Sequence, residues 1–416
     1  MAAEFFVQNL GCKVNRVESD TICAELLVAG GRLTTRDRAD VILINTCTVT
    51  GEADAKTRKE MRRSLNAAKK PWVIATGCAT AIEQEAYKQL GARLIVEPNR
   101  QLALQKAIEL LGLQTSDTFD DHTIVRCGNE FRSRMGIKIQ DGCNNACAYC
   151  IVPAARGKAQ SIQLQDILTQ ANIADSQNIG ELIITGVNIG AYSHDDRDLA
   201  VLLRLLLEST SHLRIRLSSL EPQYLSDELI DMIAGSKSRI CAHLHLPLQS
   251  GCNKTLREMG RHYDCDFFEE RLRKARETMP HIAITTDVIV GFPGESEQDF
   301  IESLQFCERM KFSRMHVFRY SKRPGTSASI RTDHIAVQVS RTRAISMGEL
   351  AQALELQDVR SRLQTTETVL VESDGLGRSE SYHQVLLPAH VKKGSLVTMK
   401  FTDHHSGLLS GVLIAS

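Results

Sequence analysis

The chain has 416 residues, 43% apolar and 24% charged, with 50 Lys and Arg set against 50 Asp and Glu. Balanced charge excludes a global field for polyanions, so any nucleic-acid contact must be local. No apolar run reaches the ~18 residues of a membrane helix, and the best candidate, Leu199 to Leu207, is broken by Arg204.

Length predicts about three domains at ~150 residues each. The N-terminus, MAAEFFVQNLG, shows neither the basic start nor the long apolar stretch of a secretory leader. The expected compartment is the reducing cytoplasm, where twelve cysteines are ligands or core residues rather than disulfides.

Residues 1–125 read as an α/β domain. Phe5–Leu10, Val41–Ile44 and Trp72–Ala75 are short apolar runs that suit a parallel sheet buried on both faces. The first helical pattern is expected to start near Asn15, with Glu18 closing a capping box, and to stop at Gly30-Gly31. Each run leads into a cysteine: Gly11-Cys12, Thr46-Cys47 and Gly77-Cys78. Open α/β sheets bind ligands beyond the carboxyl ends of their strands. A lone Cys there is ordinarily a small buried hydrophobe, but three at one structural station are expected to converge as a three-thiolate site. The next helix carries Lys56, Arg58, Lys59, Arg62, Arg63, Lys69 and Lys70. That is either a solvated face or a local phosphate-contacting patch.

In residues 133–355, a strand at Ile137–Gln140 feeds Cys143-Asn144-Asn145-Ala146-Cys147-Ala148-Tyr149-Cys150, three thiols spaced C-x3-C-x2-C. Further strands at Leu182–Thr185, Leu213–Leu217, Ala242–Leu246, Ala283–Val290 and Met315–Arg319 alternate with helical patterns such as Leu199–Leu207 and Phe267–Thr278. Six such strands predict an open or partial α/β barrel. Sites in such barrels lie at the carboxyl strand ends. There stand loops at Gly186–Gly190, Ser218–Pro222, Pro247–Gly251 and Gly291–Glu295. Structural zinc is normally closed by four ligands, and electron-carrying clusters take four thiolates. One triplet with no fourth partner nearby favours a four-iron cluster with one iron open to substrate, over zinc and over packed core thiols.

The C-x3-C-x2-C loop after a first strand, with Tyr149 before the third Cys, resembles the radical S-adenosylmethionine (SAM) superfamily. The resemblance implies a [4Fe-4S] cluster on Cys143, Cys147 and Cys150 whose open iron takes SAM. It places Tyr149 near the adenine and makes Gly186, Asn188, Gln249 and Gly291 further SAM contacts. The separate Cys12, Cys47 and Cys78 and the words Leu10–Asn15, Gln140–Asn145, His245–Gly251 and Tyr320–Thr326 resemble the methylthiotransferases over nearly the whole chain. The most similar branch acts on N6-threonylcarbamoyladenosine of tRNA. The isopentenyladenosine branch typically reads GCQMN at the first cysteine, where this chain has Lys13-Val14, and the branch modifying a ribosomal-protein aspartate differs there too.

What the resemblance implies is a second [4Fe-4S] cluster on Cys12, Cys47 and Cys78, an electron donor protein, and two uses of SAM. One SAM methylates a cluster-borne sulfur, and the other gives the radical that attacks C2 of the adenosine at position 37. That base lies in the single-stranded anticodon loop, where bases can be splayed out. The alternatives are the same chemistry on isopentenyladenosine or a ribosomal aspartate, and a non-catalytic iron–sulfur or zinc RNA-binding protein. Two departures stand out: Ala154-Ala155 where the family usually has Pro-Tyr, and Cys252 where Ser is commoner. Arg156 keeps the family's Arg-Gly and reads as a SAM or substrate contact, or as a surface residue. Cys23, Cys127, Cys241, Cys252, Cys265 and Cys307 have no partner at ligand spacing and read as core or surface thiols. His243 and His245 share a strand face, for which Cys241 is a further candidate, and read as a packed or hydrogen-bonded pair rather than a metal site.

Residues 362–416 hold short strands at Thr368–Glu372, Val385–Leu387, Leu396–Phe401 and Leu409–Leu413, which predict a small antiparallel β barrel. It resembles the TRAM domain, an OB-like RNA-binding module, although its basic residues are few (Arg378, Lys392, Lys393 and Lys400). A polar helix, Glu349–Arg362, is expected to link it to the barrel before it.

Overall fold

The computed structural model describes residues 3–48, 50–114, 133–388 and 390–415. Cys127 and the expected boundary after residue 125 lie outside the described residues.

The first part is a parallel sheet of β1 (Glu4–Asn9), β2 (Arg32–Leu33), β3 (Val41–Thr46), β4 (Trp72–Gly77) and β5 (Leu94–Val96), ordered β2-β1-β3-β4-β5. Every residue of β3 is buried, which is why its apolar run is continuous rather than alternating. Asn9 pairs with Asn45, and Asn45 with Thr76, so the carboxyl ends of β1, β3 and β4 are level. The first helix, Lys13–Val28, starts at Cys12 with no side-chain cap. The expected capping box is therefore absent. Asn15 and Glu18 are buried, and their side chains serve tertiary contacts instead.

The second part is an arc of six parallel strands. β6 (Arg134–Asp141), β8 (Glu181–Gly186) and β9 (Arg214–Leu217) form one run, with β7 (Gln160–Ser161) as an antiparallel edge. β10 (His243–His245), β11 (Ala283–Val290) and β12 (Arg314–Arg319) form the other. Parallel bridges Ile215–Ile240 and Ser219–His245 join the two runs. Neighbouring parallel strands follow chain order, as crossover connections of one hand require. A single apolar core extends from Ile137 to Leu354. The linking helix runs Val337–Ser361, well before the expected start at Glu349. Its first turns invert the usual amphipathic pattern: Val337, Val339 and Ile345 are exposed while Arg343 is buried against Glu295. Sequence periodicity cannot register such a segment.

The third part is a closed barrel of β13 (Thr366–Ser373), β14 (Leu376–Ser379), β15 (Gln384–Leu386), β16 (Leu396–His405) and β17 (Leu408–Ala415), ordered β13-β14-β15-β17-β16. β14 was not expected from the sequence. β15 and β17 pair in parallel at Val385 and Leu409, so the unit is not purely antiparallel. Among the described residues no helix is long and apolar enough to cross a membrane.

Glu181 ties the last two parts together. It is fully buried and accepts from Arg214 Nη2 at 2.7 Å and from Arg216 Nε at 2.9 Å. Those arginines also donate to carbonyls of Thr368 and Ser379 in the barrel. Burial alone would push the Glu181 carboxyl up, but Arg216 and Arg214 outweigh it and hold it well below the carboxylate range. A carboxyl depressed in the fold contributes stability at neutral pH that is lost as the pH falls from about 5. Glu181→Gln leaves two buried guanidiniums without their carboxylate and is expected to cost about 3 kcal/mol or more. Thermal unfolding from neutral to acid pH should show a lower melting point for the variant and a flatter acid slope than the parent. An unchanged melting point would contradict this account.

Two thiol triplets and the arginine between them

The first triplet stands where three parallel strands end. Cys12 follows β1 and starts the helix Lys13–Val28; Cys47 follows Thr46; Cys78 starts the helix Cys78–Ile82. Thr46 pairs with Gly77, which puts Cys47 and Cys78 at equivalent stations on adjacent strands. Strands so paired lie ~4.8 Å apart, so the three cysteines share one short edge. Gly77 has φ 97°, and a Cβ there would lie 2.3 Å from Asn45 Oδ1. Only glycine lets the chain reach Cys78 past that amide. Asn15 Nδ2 donates to Asn45 Oδ1 at 2.9 Å and to Thr46 O at 3.0 Å, while its Oδ1 accepts from Cys12 Sγ at 3.1 Å.

The second triplet follows β6. Cys143 N donates to Gly157 O at 3.1 Å, and Ala148 N to Met259 O at 2.9 Å, which fixes the loop against two neighbouring turns. Arg261 Nη1 lies 3.3 Å from Cys147 Sγ, and Asn145 N lies 3.4 Å from Cys143 Sγ. Glu221 holds both donors in place, accepting from Asn145 Nδ2 at 2.7 Å and pairing with Arg261 at 3.1 Å. In the sequence the Ser218–Pro222 loop stands out only by its position, and no local signal singles out Glu221 or Arg261. Burial pushes all three thiols up; neighbouring sulfurs add to this at Cys143 and Cys150, and Glu221 adds to it at Cys143 and Cys147, and Cys150 is raised to about 12.

Tyr149 packs with Ala148 and Tyr320 against Met259, Phe292 and Ala328, and burial raises its phenol well above the ordinary value. Gly186 ends β8 beside Gln140, whose Oε1 accepts from Asn188 N at 2.9 Å. Asn188 Oδ1 is buried with no hydrogen-bond partner among the described residues. Gln249 has φ 67° and exchanges backbone hydrogen bonds with Asp287 and Ile289 at 2.8 Å each. Gly291, at φ 73°, donates to Glu295 Oε2 at 2.7 Å. All four residues thus lie at or beyond the carboxyl half of strands in the same arc as the second triplet.

Arg156 joins the first triplet to Asp141, at the end of the strand that leads into the second. Its side chain is 3% exposed, so the surface reading fails. Nε donates to Cys78 Sγ at 3.1 Å, Nη1 to Glu18 at 2.9 Å and to Asp141 at 2.8 Å, and Nη2 to Asn15 at 3.2 Å. Burial would raise the Asp141 carboxyl, but Arg156 and Lys138 hold it down to about 2. A second clamp comes from Arg323, buried between Asp54 and Thr48 at 2.6 Å from each. The Tyr320–Thr326 word thus supplies a contact to the turn beyond Cys47.

Cys23, Cys241, Cys252, Cys265 and Cys307 are buried. His243 and His245 both hydrogen-bond Thr285 Oγ1, at 3.1 and 2.9 Å, in agreement with a hydrogen-bonded pair. Among the described residues, Cys252, Asp299 and Glu302 are the group whose metal-ligating atoms all lie within 4.8 Å of one another. Lys254 already occupies Asp299 at 2.6 Å, which explains that acid without an ion. The sulfurs of a single zinc site sit ~3.8 Å apart for bonds of ~2.3 Å. Neither thiol triplet is among the described groups whose ligating atoms all lie within 4.8 Å of one another.

Comparison with known proteins gives matches to both parts. Residues 137–307 match the radical SAM superfamily and residues 4–96 match uncharacterized protein family UPF0004. The threonylcarbamoyladenosine tRNA methylthiotransferase MtaB of Bacillus subtilis (strain 168) is 34% identical over 83% of this chain and 79% of its own length. The tRNA-2-methylthio-N(6)-dimethylallyladenosine synthase of Sulfurimonas denitrificans is 31% identical over 99% of each chain. Among solved structures, the radical S-adenosylmethionine methyltransferase TsrM from Kitasatospora setae aligns with TM-score 0.55 at 14% identity, covering 79% of this chain and 77% of that one. This last likeness speaks to the fold alone.

Proposed function

Since this chain belongs to the radical SAM methylthiotransferase family, we propose that it places a methylthio group on C2 of N6-threonylcarbamoyladenosine next to the tRNA anticodon. The observation that carries this reading is the pair of thiol triplets at two sheet edges, with the buried Arg156 tying Cys78 to Asp141, two residues before Cys143. One triplet is the requirement of radical SAM chemistry in general; the second is what a sulfur insertion needs in addition.

Cys143, Cys147 and Cys150 hold one [4Fe-4S] cluster in this proposal, and Cys12, Cys47 and Cys78 hold another. When bound, such clusters supply the electron that cleaves SAM and a seat for the sulfur to be transferred. The chain's own part is orientation. Arg261 and Asn145 direct N–H groups at the second triplet's sulfurs, which favours the thiolate form that burial opposes. Asn188 offers a buried, unpartnered carbonyl oxygen to SAM, with Tyr149, Gly186, Gln249 and Gly291 on the neighbouring turns.

The parts 1–125, 133–355 and 362–416 divide the labour into sulfur delivery, radical generation and RNA binding. Lys56, Lys59 and Arg62 are exposed on the helix Gly51–Leu65 and make no ion pair among the described residues. They serve as phosphate contacts, and the C-terminal barrel adds Lys392, Lys393 and Lys400. An electron donor protein completes the set of partners.

Nucleoside mass spectrometry of tRNA from a strain lacking this chain tests the substrate. The 2-methylthio derivative of threonylcarbamoyladenosine should vanish while its unmodified precursor accumulates. Loss of the isopentenyl derivative instead would overturn the reading.

A further inference from the structure

Lys13 follows Cys12 directly and reaches a cluster of cations drawn from all three parts of the chain. Its ammonium lies 5.7 Å from the centroid of the Tyr382 ring. Arg216, Arg378 and Arg134 lie 4.8, 5.0 and 6.0 Å from the same centroid, and the His243 ring packs against it, tilted, at 4.9 Å. The guanidiniums are paired: Arg216 with Glu181, Arg134 and Arg378 with Glu372. Lys13 is exposed and has no ion pair among the described residues. With Arg214, four guanidiniums share the carboxylates of Glu181 and Glu372 within ion-pair reach, and Lys13 adds a fifth positive charge. Burial alone would raise the Tyr382 phenol, but Lys13, Arg134 and Arg378 hold it below its ordinary value. Tyr382 and Arg378 also line a cavity of about 400 Å³ between the arc and the C-terminal barrel.

Net positive charge around a flat aromatic face, one residue from a proposed sulfur-bearing thiol, suits a planar group that ends in an anion. The threonylcarbamoyl substituent has that chemistry: a planar urea and a free carboxylate. An isopentenyl substituent has neither. We propose that Lys13, over the Tyr382 ring, binds the carboxylate of the N6 substituent and so selects acid-bearing over alkyl-bearing adenosine. This rests on the threonylcarbamoyladenosine reading above and names the residue that enforces it.

The test measures binding of the reconstituted enzyme to synthetic anticodon stem-loop RNAs by fluorescence anisotropy at fixed salt. The RNAs carry threonylcarbamoyladenosine, its methyl ester, or isopentenyladenosine. The parent should hold the acid about tenfold tighter than the ester, the worth of one charge-assisted hydrogen bond. Lys13→Gln should bring that ratio close to one by weakening the acid RNA alone, and Lys13→Arg should keep most of it. Equal weakening of acid and ester would mark Lys13 as a phosphate contact and overturn the inference. So would a preference that survives Lys13→Gln, with the substrate reading intact. A parent that prefers and converts only the isopentenyl RNA would bring down both.

Discussion

Cys147→Ala is expected to lower the iron content of reconstituted protein from about eight to about four and to abolish reductive cleavage of SAM. The two losses are independent because the triplets sit on different sheets. Cys143, Cys147 and Cys150 occupy one loop after β6, fixed by Gly157 and Met259 carbonyls, whereas Cys12, Cys47 and Cys78 depend on the register of β1, β3 and β4. Loss of one ligand removes one site and leaves the other intact. The mirror variant, Cys78→Ala, should also retain about four irons but still yield 5′-deoxyadenosine without methylthiolated RNA. Iron assay, deoxyadenosine quantification and product mass spectrometry separate the two. An iron count near four in the unmutated protein would sink the two-cluster proposal, and SAM cleavage surviving Cys147→Ala would sink the assignment of roles.

Arg156→Met is expected to cost about 3 kcal/mol of stability and to make the cluster proposed on Cys12, Cys47 and Cys78 harder to reduce. The side chain is almost fully buried and serves carboxylates from two parts of the chain, Glu18 and Asp141. Removing it leaves both short of a partner, although Lys138 and Arg100 still face Glu18 and limit the loss. The Nε–H that reaches Cys78 Sγ at 3.1 Å goes as well. A lost donor and a lost positive charge beside a ligating sulfur disfavour the added electron, so the midpoint potential falls. Lysine cannot replace the planar fork and should rescue stability only in part. A redox titration in the Cys147→Ala background isolates the N-terminal cluster. An unchanged potential would reduce Arg156 to a domain clamp.

The thiol stations were readable because each follows a strand whose composition is dictated by burial. Val41–Ile44 has no polar position since both faces of β3 are covered, and a cysteine just past such a run can only be at the sheet's edge. The C-x3-C-x2-C loop was readable from spacing alone. Asn15 and Glu18 were misread for an equally physical reason. Their spacing satisfies a capping box, and nothing local says that Asn45 and Arg156, distant in the chain, offer better partners. Arg156 itself had two local readings, and its actual partners are 15 to 141 residues away. The parallel pairing of Val385 with Leu409 and the early start of the helix Val337–Ser361 escaped notice because barrel closure and a buried Arg343 decide them.

By itself the sequence determined the three-part α/β, α/β and β order, the two thiol triplets and the loops at the strand ends. These follow from local composition and from where glycine and cysteine interrupt apolar runs. Only the tertiary structure decided that Arg156 ties Cys78 to the strand end before the second triplet, that Glu221 and Arg261 steady that triplet, and that Lys13 joins cations from two other parts around Tyr382. Those contacts are between charges far apart in the chain. Their energy exists only once folding has removed the water between them, so no short window of residues can reveal them.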